Sequence, residues 1–589
     1  MKALRLRMAW LLPMAALVWA GAARAQAPLG PAQMSARTLF YVTWHGMPGG
    51  EARKANALAA LWDDADFAPV RSAIVAGMLS SSEEKPAAAK LTPEQVKEFA
   101  GLLENSFTLG YVSEPVRRML SNGAVSADTK RPAWNGMFFV YDRTGKELLL
   151  AKAILRMRAE EKEAPVLSQV SIGGVQVVKS ESKGGATYWA EHGKYAVSAG
   201  ERTVMEDLLG RLDGKASGGA TLGQSAAYQE AKANLESGSL EFFLAVPDLK
   251  NLAADSKAGP LEVSPLLEAA KLDAVHSVSG RVTFEGAKTH VQAAILGDAS
   301  GGTLFDIWSA GQPRPASLAF VPAEAVSYNS MQLDLLGIYA TVERVAGAAF
   351  PQTQQGGVGL LDLMAQQKLG MPVPEALGLL SGEFASMQTS PALEMGKQVY
   401  FFGVRKKAET LKLMRTVLGE QLTAERNEGD VTFLKISLEG KEGSAGTAQW
   451  NFFNVAVTPD MLVGANGVET LREVLANRAH ASAAAGLGTV PQFRTGRAAF
   501  PENVNGLSYF DFQKVDWQAV KARWVAEAKK SAAAQITNLS TDATKDVRPS
   551  AAADWLSQIN PQVFARHLHY SSSVSWKDAR GIHWDQWVQ

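Results

Sequence analysis

His276–Ile295 reads HSVSGRVTFEGAKTHVQAAI, and His569–Val588 reads HYSSSVSWKDARGIHWDQWV. The first stretch alternates apolar and polar residues on either side of Glu285-Gly286-Ala287, the pattern of a β-hairpin with one face in water. The second resembles it and ends the chain. A repeated closing hairpin implies that what precedes it is repeated as well, and internal similarity governs every later reading of a fold.

Working outward from the hairpins, the correspondence holds in order. SLEFFLAVPDLKNL from Ser239 matches GLSYFDFQKVDWQAV from Gly506. KYAVSAGERTVMEDLLGRL from Lys194 matches DMLVGANGVETLREVLANR from Asp460, and GGVQVVKS from Gly173 matches GDVTFLKIS from Gly429. GMFFVYDRTGKELLLAKAIL from Gly136 matches VYFFGVRKKAETLKLMRTVL from Val399, each an apolar strand, a turn and an amphipathic helix. LLENSFTLGYVSEP around Phe107 matches LLSGEFASMQTSP around Phe384. TLFYVTW (38–44) leads into the helical ARKANALAALW, as SLAFV (317–321) leads through Pro322 into MQLDLLGIYATVERV. One match of strand-then-helix text is common; seven in the same order indicate tandem duplication.

The expected fold is therefore α+β: two tandem, structurally similar halves, each a mostly antiparallel sheet packed with amphipathic helices. The halves span 26–300 and 317–589, with a Gly- and Pro-punctuated linker at 301–316. Matching positions expected on the same strand and face are Phe107 with Phe384, Phe139 with Phe402, Val197 with Val463, Phe242 with Tyr509 and Phe284 with Trp576. Thr92-Pro93-Glu94-Gln95 reads as a capping box opening a helix. Flexible surface segments are expected at 80–90, 213–223, 438–446, 481–488 and 532–550.

The first 25 residues read as a secretory signal: Lys2, Arg5 and Arg7, an apolar run from Met8 to Ala22, and Ala23-Arg24-Ala25 as a small-x-small cleavage site. The run is shorter than the roughly 20 residues that span a bilayer. A mature chain starting at Gln26 is expected in the periplasm or outside the cell, with no transmembrane segment. It has no cysteine, so it contains neither a disulfide nor a thiolate nucleophile. Removing Lys2, Arg5, Arg7 and Arg24 from 59 basic and 59 acidic residues leaves a net charge of about −4, too balanced for a nucleic-acid partner.

The leader, the opening TLFYV strand, ALAALWDDADFAPV, and YAVSAGERTVMEDLL followed by SLEFFLAVPDL together resemble a family of large exported bacterial proteins of unknown function. The resemblance spans most of the mature chain. It implies a periplasmic or surface location and a duplicated α+β unit, and it transfers no catalytic residue.

The candidate chemistry is sparse. His45, in Trp44-His45-Gly46-Met47-Pro48-Gly49-Gly50, sits where a strand meets a glycine-rich turn and has the titration range of a general base, but no partner is evident; its counterpart falls near Glu324. His567 and His569 would share one face of a strand, with no third metal ligand in sight. His276, His290 and His583 fall in the repeated hairpins and read as packing or hydrogen-bonding groups. Gly356-Gly357-Val358-Gly359 follows no strand and does not support a dinucleotide fingerprint. Asp63-Asp64 and Glu160-Glu161 read as caps and solvated charge. Trp62, Trp517 and Trp555 read as core, whereas Trp576, Trp584 and Trp587 on the last hairpin are candidates for exposure. No catalytic, metal or cofactor residue is assigned. The leading expectation is a non-catalytic exported protein serving as an interaction or structural module of the cell envelope. Its alternatives are a carrier of an apolar ligand and a hydrolase without a recognisable motif.

Overall fold

The computed structural model describes residues 28–79, 101–113, 136–146, 166–182, 185–215, 219–235, 237–247, 268–299, 303–309, 311–312, 314–349, 356–394, 397–437, 452–480, 486–498, 500–539 and 556–589. The leader, the capping box at Thr92–Gln95, Glu160-Glu161, Trp555 and the segments 80–90 and 438–446 lie outside them.

Among the described residues, ten strands come from the first part of the chain: β1 (Thr38–Trp44), β2 (Phe107–Val112), β3 (Met137–Asp142), β4 (Val166–Ile172), β5 (Val175–Ser182), β6 (Gly185–His192), β7 (Tyr195–Ala199), β8 (Leu240–Ala245), β9 (Val275–Glu285) and β10 (Lys288–Gly297). Ten more follow: β11 (Ser327–Gln332), β12 (Leu380–Gln388), β13 (Gln398–Val404), β14 (Leu422–Glu428), β15 (Val431–Ser437), β16 (Phe452–Val457), β17 (Met461–Ala465), β18 (Gly506–Asp511), β19 (Tyr570–Asp578) and β20 (Gly581–Val588). The helices that matter below are α1 (Ala57–Asp63), α2 (Arg202–Leu212), α3 (Ala226–Asn234), α4 (Leu335–Ala349), α5 (Gly356–Leu369), α6 (Val468–His480), α7 (Pro491–Ala498) and α8 (Gln562–His567). The protein is thus a mixed α+β chain built on a large antiparallel sheet.

Hydrogen-bonded neighbours join all the strands into one sheet. The first part runs β4-β5-β6-β7-β3-β2-β1-β8-β9-β10, from one edge to the middle. The second runs from the middle to the other edge as β20-β19-β18-β11-β12-β13-β17-β16-β15-β14. Every pairing is antiparallel. The two runs meet where β10 pairs with β20, from Thr289 opposite Val588 to Leu296 opposite Gly581.

Residues directly opposite across a ladder share a face, so the register sorts the core. Tyr41, Phe243 and Ala294 face one way and pack with Met205 and Leu208 of α2 and Ala231 of α3. On the same face of the second part, Tyr328, Tyr509 and Val574 pack with Leu471 and Val474 of α6 and Phe493 of α7. Trp44, Leu240 and Val282 face the other way. They share a cluster with Leu58, Leu61 and Trp62 of α1 and, from the far end of the chain, Trp517, Val563 and Phe564. Trp62 and Trp517 are core, as their helical spacing implies.

Two local expectations are corrected. SLAFV is not a strand: Ala316–Phe320 is a 3-10 helix, and the strand that follows is Ser327–Gln332. The reason is Glu383, whose carboxylate accepts the backbone N–H groups of Ala316 (3.0 Å) and Ser317 (2.8 Å), holding them out of any ladder. Finally, the β9–β10 hairpin has no wet face. Ser279, Arg281 and Ala294 on one side and Val282 and Thr289 on the other are all buried, because the hairpin lies mid-sheet with helices over both surfaces. Its serines and glycines read as polar, but they are small enough to bury without a large desolvation cost.

Candidate functional site

The seam between β10 and β20 gathers a set of hydrogen-bonded polar side chains, among them the buried His290, Arg281 and Asp585. Gln292 lies opposite Asp585 and donates from Nε2 to its Oδ2 (3.0 Å). His290 Nε2 meets Asp585 Oδ1 at 2.5 Å, and its Nδ1 lies 3.5 Å from Glu285 Oε1. Arg281, opposite Gln292 in β9, donates from Nε to the Gln292 side-chain oxygen (2.5 Å). The His290 ring stacks flat on Trp587, with centroids 3.8 Å apart and an interplanar angle of 8°. Alternation along adjoining strands puts these groups on one face, and burial then requires each to find a partner.

A histidine oriented by a buried aspartate is two-thirds of a nucleophilic triad. Here both ring nitrogens face carboxylates, so neither is left to take a proton from a hydroxyl. The hydroxyls across the ladders, on Thr283 opposite His290 and Ser572 opposite Trp587, have buried oxygens with no hydrogen-bond partner among the described residues. His290 itself is 8% exposed, which leaves a substrate little access. The arrangement joins β9, β10 and β20 through side chains.

His567, His276 and His583 also meet carboxylates. His567 is the last residue of α8, and His569 lies beyond it, just ahead of β19, so the pair does not share a strand face. His567 Nε2 instead meets Asp64 (2.7 Å), which also accepts from Arg566 Nη1 (2.6 Å). Burial pushes the Asp64 carboxyl up, but hydrogen bonds from His567, the Asp66 N–H and Arg566 outweigh it and hold it at about 2. Asp63 ends α1 and pairs with Arg53, while Asp64 caps the next turn through the Asp66 N–H. The acidic pair is therefore a cap and an ion-pair anchor between distant parts of the chain. His276 meets Glu230 (2.9 Å), and His583 meets Asp578 (3.1 Å) and stacks on Trp576. His45 follows β1 and donates its backbone N–H to the Ser239 carbonyl. Trp576, Trp584 and Trp587 are half-buried rather than exposed.

Sequence reading missed Asn56. It is fully buried, its Oδ1 accepts the N–H groups of Leu58 and Ala59 at the start of α1, and its Nδ2 donates to the Gly286 and Lys288 carbonyls of the β9–β10 turn. Asparagine before an apolar helical run is an N-cap signal, and that signal was present in the text. Its second set of bonds joins positions more than two hundred residues apart and had no local trace.

Beside the chain that enters β1 lies a cleft of about 530 Å³. Leu29, Met34, Phe138, Val204 and Leu208 supply apolar walls, and Arg37, Asp207 and Arg211 supply charge. Among the described residues no three His, Asp or Glu side chains converge as a metal site, and no helix is long and apolar enough to cross a membrane. No protein-family model matches the chain, and neither a curated protein nor a solved structure matches it.

Proposed function

We propose that the protein is an exported, non-catalytic interaction module of the cell envelope, built from two copies of one α+β unit. The observation that carries the interaction reading is β4. It pairs only with β5 among the described residues, carries no charge over Val166–Ile172, and exposes Val166 (68%) and Leu167 (51%). Edge strands are normally protected by charge. The opposite edge, β14, is so protected by Glu425, Arg426 and Glu428. An unprotected edge suits strand addition by a partner segment. The consumption of the histidine–carboxylate pairs in structural contacts weighs against a hydrolase.

The duplication is supported by strand order, since each run reads the same when β11 to β20 are matched to β1 to β10. Register supports it residue by residue: Phe107 and Phe384 occupy matching rungs, as do Val197 and Val463. Tyr509 matches Phe243 and Trp576 matches Thr283, one residue from the expected pairs, and Phe402 matches Tyr141 rather than Phe139. His45 then matches Gln332, not the neighbourhood of Glu324.

Expression with the leader intact tests location and contact together. The expected product begins at Gln26 in the envelope fraction and migrates on native gels in a larger assembly, from which Leu167→Lys releases it. Retention of Met1–Ala25, or identical migration of wild type and variant, would overturn the proposal. A second reading, a carrier for a small apolar ligand, is favoured by the cleft between Met34 and α2.

A further inference from the structure

β4 joins β5 through a two-residue turn, Gly173-Gly174, with both glycines at positive φ (59° and 82°). In a hairpin of this kind the two residues flanking the turn exchange hydrogen bonds, and every second residue beyond them does the same. Ile172, Val170, Ser168 and Val166 therefore direct their N–H and C=O groups at β5, opposite Val175, Val177, Lys179 and Glu181. Ser171, Gln169 and Leu167 direct theirs out of the sheet. In keeping with that direction, the Ser171 carbonyl is met from outside the hairpin by Arg202 of α2, in a long contact of 3.5 Å. The side chains of Leu167, Ser168, Gln169 and Ser171 are all exposed.

We infer that the partner at this edge is a second copy of the chain, its β4 running antiparallel to the first about a two-fold axis through Gln169. This names the occupant of the edge in the interaction reading and rests on that reading. The charges at the two sheet edges select it. Pairing β4 with the β14 of a neighbour would leave free edges at both ends and grow without limit. Glu425, Arg426 and Glu428 oppose such pairing on β14, whereas β4 has no charge, so β4 against β4 is the pairing left open, and it closes at two molecules. The register follows from the outward groups. Centred on Gln169, Leu167 faces Ser171 of the second copy, Ser171 faces Leu167, and Gln169 faces itself, so every outward N–H and C=O finds a partner. A centre at Ser168 or at Val170 leaves Ser171 or Leu167, respectively, without a partner in the opposite strand. Side chains agree with this register, since residues opposite each other share a face. The exposed Val166 meets Ile172 of the second copy, and Ser168 meets Val170. On the axis two glutamine amides meet, and an amide both donates and accepts, which makes it complementary to itself as a carboxylate or an ammonium is not.

Sedimentation and native mass spectrometry of the purified mature chain test this. The wild type is expected as a dimer of identical chains. Gln169→Lys and Gln169→Glu, each alone, should weaken the dimer by about tenfold or more, because like charges then meet on the axis. Mixed in equal amounts, the two variants should form a dimer holding one chain of each, a rescue that requires position 169 to face itself and that shows both variants to be folded. A wild type that stays monomeric, while Leu167→Lys still releases the envelope assembly, would overturn the second copy as partner and leave the interaction reading standing. If Leu167→Lys releases nothing, both fall together. A dimer that persists in both Gln169 variants, or a mixture that stays monomeric, would overturn the pairing about this axis.

Discussion

Two side chains tie distant parts of the chain together, and each does so through geometry that a substitution removes. Asn56 uses both ends of its amide, so Asn56→Ala leaves the start of α1 and the β9–β10 turn with buried, unpaired backbone groups. The expected cost is about 2–4 kcal/mol, summing a lost cap and lost buried hydrogen bonds. Urea unfolding measures it, and a loss below about 0.5 kcal/mol, the scale of a neutral surface change, would overturn the assignment. Asp64 adds a pH dependence. Its carboxyl is held at about 2, below its ordinary 3.8, so its contribution is full above about pH 4 and lost as pH falls through 2. The stability gap between wild type and Asp64→Asn should therefore shrink between pH 5 and pH 2.5. A gap independent of pH over that interval would mean that the carboxylate is not the stabilising partner of His567 and Arg566.

Among the elements, the β10–β20 pair is closely constrained. Gly581 begins β20 with φ of 143°, and a Cβ there would lie 2.1 Å from the Ile295 carbonyl oxygen. Gly581→Ala should cost several kcal/mol, because backbone cannot yield as a flexible side chain can. At the centre of the ladder, Asp585→Ala strands His290 and Gln292, with an expected loss of about 3–5 kcal/mol. A double-mutant cycle with His290→Ala should return a coupling of about 1–3 kcal/mol, and additive losses would show that the two side chains act independently. Much of this element was legible: the alternation of HSVSGRVTFEGAKTHVQAAI marked the hairpin and its turn. What was not legible was the partner. Alternation declares that a strand has two faces, but not which strand lies beside it, and so the wet face inferred for β9–β10 proved to be covered. The same limit explains Asp64, whose partners lie about five hundred residues away. It also explains SLAFV, where an apolar run was read as a strand because the distant Glu383 that captures its N–H groups leaves no mark in the local text.

For the whole molecule, the seam and the shared core decide how the protein unfolds. The cluster around Trp44 and Trp62 includes Trp517, Val563, Phe564 and Val588, so neither run of strands buries its apolar surface alone. Calorimetry should show one cooperative transition, and two resolved peaks would mean that the runs are thermodynamically separate. The seam also bears on ancestry. On the duplication we propose, register matches His290 to His583 and Gln292 to Asp585, which makes the Gln292–Asp585 rung the one place where a position meets its own counterpart. A single-unit ancestor pairing with itself in this way would set identical residues face to face on that rung, as an isologous interface demands. Two buried aspartates there would repel, and two glutamines would leave His290 without its anion. On that proposal, joining the units in one chain would free the two copies to differ, and the asymmetric Gln292–Asp585 lock at the centre of the sheet is what such divergence would produce.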